Sequence, residues 1–99
     1  MVFDLSEITG LGDYTLKSAK DRTLYYKGTD ANTNVFLVVN KNTIEIRCDA
    51  KLATHLKSKY ESIMESRYFG RGGIEIVLAD QLSQSELADL VRLSYRLTN

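Results

Sequence analysis

The most regular stretch of the chain runs from Thr43 to Cys48, where Ile44, Ile46 and Cys48 alternate with Glu45 and Arg47. A period of two puts the apolar set on one face of a strand and the charged pair on the other. Just before it, Val35 to Val39 is an unbroken apolar run, the pattern of a strand covered on both faces. Asn40-Lys41-Asn42 separates the two, and asparagine accepts the left-handed backbone of tight turns, so the pair reads as a hairpin. Residues 22–28, rich in Thr, Tyr and Leu and ended by Gly28, predict another strand, followed by a polar loop over 29–34.

Helical spacing takes over after Asp49, a favourable N-cap. Leu52, Ala53, Leu56, Tyr60 and Ile63 fall on one stripe at 3.6-residue spacing and predict an amphipathic helix. Residues 65–69 and 74–78 then read as two strands, with Gly70-Arg71-Gly72-Gly73 as the bend between them. Ser83 and Glu86 make an S-x-x-E capping box, with Leu82 placed to staple against Leu87. Leu87, Leu90, Val91, Ser94 and Tyr95 supply the buried face of the helix it opens. Near the start, Leu5, Ile8 and Leu11 have helical spacing that Gly10 and Gly12 interrupt, which predicts a short helix and then a loop.

The order strand, turn, strand, helix therefore occurs twice, and Ile-Glu-Ile recurs at 44–46 and 74–76. Two such units pair their strands into one antiparallel sheet with helices packed on one side, an α+β fold in a single domain spanning 1–99. The other face of that sheet is expected to stay partly open and to carry Glu45, Arg47, Glu75 and Val77.

Composition narrows the function classes. The chain is 43% apolar and 26% charged, with 13 basic and 13 acidic residues, so no global field attracts a polyanion. The balance is uneven, however: residues 41–71 carry seven Lys and Arg against four acids, and residues 72–99 carry two Arg against four acids. A lone Cys48 forms no disulfide within the chain, which fits a reducing compartment. The start lacks a basic segment followed by an apolar run, and no stretch approaches the ~20 apolar residues that span a bilayer. The expectation is a cytoplasmic protein with no membrane partner.

Arg47-Cys48-Asp49 at a strand end, Leu56 and Tyr60 in the next helix, and Ser94-Tyr95 before Leu97 resemble the MmcQ/YjbR family of small bacterial proteins, over residues 35–97. That resemblance implies a fold called the double wing, two hairpin-and-helix wings around a curved sheet. It also implies DNA binding, inferred in that family from the fold, with no enzymatic activity and no cofactor. The family often places a basic residue and a His-Trp pair at the start of the late strand. This chain has Gly70-Arg71-Gly72-Gly73 there and no tryptophan.

Candidate chemistry is sparse. The glycines of "RYFGRGGIEI" (67–76) suggest a phosphate cradle, but a P-loop needs a Lys and a Ser or Thr after its glycines, and a helix, and here a strand follows. Hairpin chemistry is the simpler reading. Both expected hairpin tips nevertheless present basic residues, Lys41 on one and Arg67 with Arg71 on the other, placed to reach phosphates. Lys51, His55 and Lys59 line one face of the first long helix, although such faces are ordinarily just solvated. His55 has no second His or Cys at ligand spacing, which argues against zinc. Cys48 and Ser94 sit on apolar faces and read as packed core, Ser94 through close packing or a bond to the i−4 carbonyl. A Glu45–Glu75 pair across the sheet is conceivable acid–base chemistry without an identifiable pocket.

The sequence thus points to a small non-enzymatic protein that contacts duplex DNA phosphates through Lys41, Arg67 and Arg71, then Lys51 and Lys59. The alternative is a protein-interaction or ligand-sensing module that uses the open sheet face.

Overall fold

A computed structural model describes residues 3, 5–29, 34–79 and 81–98. After a 3-10 turn (Leu5–Glu7) come β1 (Tyr14–Ser18), β2 (Arg22–Lys27), β3 (Val35–Asn40) and β4 (Thr43–Arg47). Helix α1 (Ala50–Lys59) follows, then β5 (Ile63–Ser66), β6 (Gly70–Val77) and α2 (Gln84–Leu97). The strands form one antiparallel sheet in the order β1-β2-β3-β4-β6-β5.

Pairing of β4 with β6 joins the two predicted units, and it sets Ile44 opposite Ile76, Glu45 opposite Glu75 and Ile46 opposite Ile74. The repeated Ile-Glu-Ile segments are therefore direct cross-strand partners. Their isoleucines, with Leu37 from β3, turn to the side where the helices lie, α2 over β3 and β4 and α1 over β5 and β6. Leu56 of α1, Leu87 and Val91 of α2 and the N-terminal Leu5 complete that core. Burial of such a continuous apolar layer is what holds the sheet and the helices together.

Both helix starts are capped as their sequences predict. Asp49 accepts a hydrogen bond from Leu52 N at 2.9 Å, and Ser83 and Glu86 bond each other's backbone N–H at 3.1 and 2.9 Å. Of the two expectations for Ser94, close packing holds and the bond to the i−4 carbonyl does not. Its hydroxyl donates to Phe36 O at 2.6 Å and accepts from Arg47 N at 2.7 Å, so α2 is stitched to β3 and β4 at a fully buried point. Cys48 is buried as expected, and burial, with the nearby Asp49 charge, pushes its thiol up to about 11.

Three boundaries depart from the sequence reading. Residues 14–18, expected as loop, are the edge strand β1. Helix α1 stops at Lys59: Tyr60 is its C-cap and Ile63 already belongs to β5, so the apparent continuation of the stripe is a coincidence of spacing. The third departure concerns the glycines. Gly70 to Gly73 are not the bend but the start of β6, and the chain reverses at Arg67–Phe69. Gly70 has φ 61°, a region costly for other L-residues, and a Cβ on Gly73 would strike Ile46 O and Phe69 Cβ. Glycine is required here for close approach and for a single left-handed residue. The polar loop expected over 29–34 lies largely outside the described residues.

Candidate functional site

The sheet face away from the helices is less open than its sequence implies. The Arg67–Phe69 turn folds back over β4 and β6 and is held there by the two facing carboxylates. Glu45 Oε1 accepts from Ser66 Oγ and from Tyr68 N, both at 2.8 Å, and Glu45 Oε2 accepts from Asn40 Nδ2 at 2.9 Å. Glu75 accepts two bonds from Arg67, Nε at 3.0 Å and Nη2 at 2.8 Å, and a third from Thr43 Oγ1 at 2.8 Å. Ser66 Oγ in turn accepts from Phe69 N at 2.8 Å. Both glutamates are 2% exposed.

Burying two like charges side by side is unfavourable unless each is fully bonded. Here each carboxylate takes three donors, and no buried side-chain N or O atom among the described residues lacks a partner. Burial pushes the Glu45 carboxyl up, but hydrogen bonds from Asn40, Tyr68 N and Ser66, together with the Arg67 charge, outweigh it and hold the group below its ordinary value. The pair is a structural clamp. Arg47 also faces this side, with its Nε donating to Val35 O at 2.9 Å and its guanidinium carbon 4.9 Å from the Phe69 ring centroid.

The clamped turn forms one wall of an open groove of about 850 Å³. Its other walls are the β1–β2 turn (Ala19, Lys20, Asp21) and the β3–β4 turn (Lys41, Asn42). Pairing of Arg22 with Asn40 sets these two turns side by side at one end of the sheet. The floor is Asn40, Thr43 and Glu45. Four cations converge there: Lys20, Arg22, Lys41 and Arg67. Two acids face them, Asp21 and the already bonded Glu45. The Arg22 guanidinium carbon lies 5.3 Å from the Tyr68 ring centroid, and Tyr68 is 38% exposed. Among the described residues Lys20 and Lys41 form no ion pair.

No family model matches this sequence, and no curated protein sequence does. A solved structure does share its fold. The crystal structure of Deinococcus radiodurans protein DR2400, a DUF419 domain, superposes with a TM-score of 0.81 over 93% of this chain and 72% of that one, at 14% identity. The fold is double-wing-like. At that identity the likeness is one of architecture.

The five basic residues singled out from sequence fall on two surfaces. Lys41 and Arg67 meet in the groove. Arg71, expected at a hairpin tip, sits in β6 and lines a smaller crevice of about 240 Å³ with Lys57, Thr54 and Glu65, against α1. Lys51 and Lys59 are exposed on α1, on the helix side of the sheet, and Lys59 Nζ lies 5.3 Å from the Tyr60 ring centroid. Lys20, Arg22 and Tyr68 were missed as site residues. Lys20-Asp21-Arg22 between two β-like runs was the available signal, hidden because β1 went unrecognised. Among the described residues no group of three or more His, Cys, Asp or Glu is placed to hold a metal ion, and no helix is long and apolar enough to cross a membrane.

Proposed function

We propose that this chain is a non-enzymatic nucleic-acid-binding domain that holds the phosphate backbone in the groove, through Lys20, Arg22, Lys41 and Arg67. The observation that carries this reading is the convergence of four cations on one concavity in a chain of zero net charge. Arg67 is already engaged by Glu75, so Lys20, Arg22 and Lys41 supply most of the attraction. Arg71, Lys51 and Lys59 lie outside the groove and contribute little to this contact.

On duplex DNA, three to four phosphate contacts predict a plot of log affinity against log salt with a slope of about −2.7 to −3.6, or roughly a 40- to 150-fold loss between 50 and 200 mM salt, and a shallower slope on single strands. Fluorescence anisotropy with labelled oligonucleotides reads this directly. Lys20→Ala and Lys41→Ala each flatten the slope by about one unit, whereas Lys51→Ala and Lys59→Ala leave it in place. Absence of binding to any oligonucleotide at ~50 mM salt would remove this function.

Kinship with MmcQ/YjbR proteins belongs to the same reading. It is supported by the double-wing-like fold and by the positions of the shared residues. Asp49 caps α1, Leu56 is core, Ser94 ties α2 to the sheet, and the Tyr95 ring packs edge-on to Phe36 at 4.9 Å.

A further inference from the structure

Four cations around a groove describe a polyanion site without saying which nucleic acid enters it. Shape and the position of the aromatic ring decide more. A duplex is a stiff cylinder with its phosphates outside, so a flat or convex array of cations meets it best, or an element that projects into a groove of the DNA. Here the cations line a depression bounded by the β1–β2, β3–β4 and 67–69 turns, concave rather than flat. The exposed lysines of α1 lie on the opposite side of the sheet from the groove, so a straight duplex resting on one surface does not engage the other.

The concavity also carries a half-exposed aromatic. Tyr68 lines the groove, with the Arg22 guanidinium carbon 5.3 Å from its ring centroid and the Phe69 ring edge-on to it at 5.0 Å. Its backbone is fixed by the bond from its N–H to Glu45, so the ring is presented in place without a large ordering cost. A basic groove that follows one backbone, with an aromatic beside it for a base, is how single strands are held without sequence preference. A volume of about 850 Å³ lies within the range of sites that enclose small ligands, so it accommodates a short stretch of one strand.

We infer that the groove takes single-stranded nucleic acid in preference to duplex, with the backbone along Lys20, Arg22 and Lys41 and a base against Tyr68. This rests on the nucleic-acid reading above and specifies its ligand.

The test compares a labelled oligothymidylate with a duplex of the same length, by anisotropy over a salt series, for the native chain, Tyr68→Leu and Lys41→Ala. The expected result is single-strand binding at least tenfold tighter than duplex binding. Tyr68→Leu weakens it by about ten- to a hundredfold at unchanged salt slope, and Lys41→Ala flattens the slope by about 0.7. Tyr68→Leu keeps the backbone bond to Glu45, and a native circular-dichroism melt confirms the fold. Duplex binding as tight as single-strand binding, or a Tyr68→Leu chain with native affinity, overturns the inference while leaving nucleic-acid binding intact. Binding to neither probe overturns both.

Discussion

Replacing Glu45 by alanine tests whether two facing buried carboxylates can stabilise a sheet. The side chain is 2% exposed and accepts from Ser66 Oγ, Tyr68 N and Asn40 Nδ2. After Glu45→Ala, Tyr68 N loses its acceptor under the turn, at a cost of about 1–3 kcal/mol. Ser66 still accepts from Phe69 N, but its own hydroxyl loses its acceptor at a buried position, and Asn40 keeps only its bond to Thr43 Oγ1; these two lost bonds cost about 1 kcal/mol each. Removing Glu45 also relieves its opposition to Glu75, which returns about 0.2–1 kcal/mol. The balance is a loss of about 3 kcal/mol, or a melting temperature lowered by about 12–24 °C for a domain this size. Urea unfolding followed by circular dichroism measures it. A loss below about 1 kcal/mol, or a gain, refutes the clamp, since it would mean that repulsion outweighs the hydrogen bonds.

The pH dependence gives the same experiment an independent readout. The folded Glu45 carboxyl lies below its ordinary value, so its contribution is present above the unfolded glutamate value of about 4.3 and is lost as pH falls through the lower folded value. The native chain therefore loses stability on acidification below about pH 4.3 more steeply than Glu45→Ala does. Two parallel pH profiles would show that the side chain only fills space.

The remaining predictions concern the joints of the fold. Gly73→Ala drives a methyl group into Ile46 O and Phe69 Cβ and lowers stability by about 2–3 kcal/mol in the same urea assay, whereas Gly70→Ala, at φ 61° with open space around it, costs about 1–2 kcal/mol. Ser94→Ala strands Phe36 O and Arg47 N at a buried site and costs about 2–3 kcal/mol, with unfolding still a single transition. Cys48, 3% exposed and with its thiol pushed up to about 11, resists a thiol reagent at pH 8 in the native chain and reacts at once in denaturant.

What could be read from the sequence was what is decided locally. Asp49 and the Ser83–Glu86 box mark helix starts through bonds spanning three residues, and the alternation of Thr43–Cys48 sets the faces of β4 without reference to anything distant. The missed elements depend on partners far along the chain. β1 is a mostly exposed edge strand whose alternation, Tyr14 and Leu16 against Thr15 and Lys17, is too short to mark it, and it exists because β2 pairs with it from Tyr14–Lys27 to Ser18–Thr23. The 67–69 turn has no turn residue of its own. Its reversal is fixed by Glu45, more than twenty residues earlier, while the glycines that looked like the bend serve the close crossing of β6 under Phe69.

The same division separates fold from function in this chain. Asp49, Leu56, Ser94 and Tyr95, which resemble a known family, each make a contact that builds the domain: a cap, a core position, a helix-to-sheet tie and a ring packed on Phe36. The Deinococcus protein shares this architecture at 14% identity. The groove draws its cations from three turns and a strand start, at Lys20 with Arg22 of β2, at Lys41 and at Arg67, and none of them belongs to that set. Lys20 and Lys41, on turns and with no ion pair among the described residues, are free of core packing and vary at little cost to the fold. An activity placed there is a property of this chain's own turns. For that reason the decisive substitutions are Lys20→Ala, Lys41→Ala and Tyr68→Leu rather than any residue of the shared pattern.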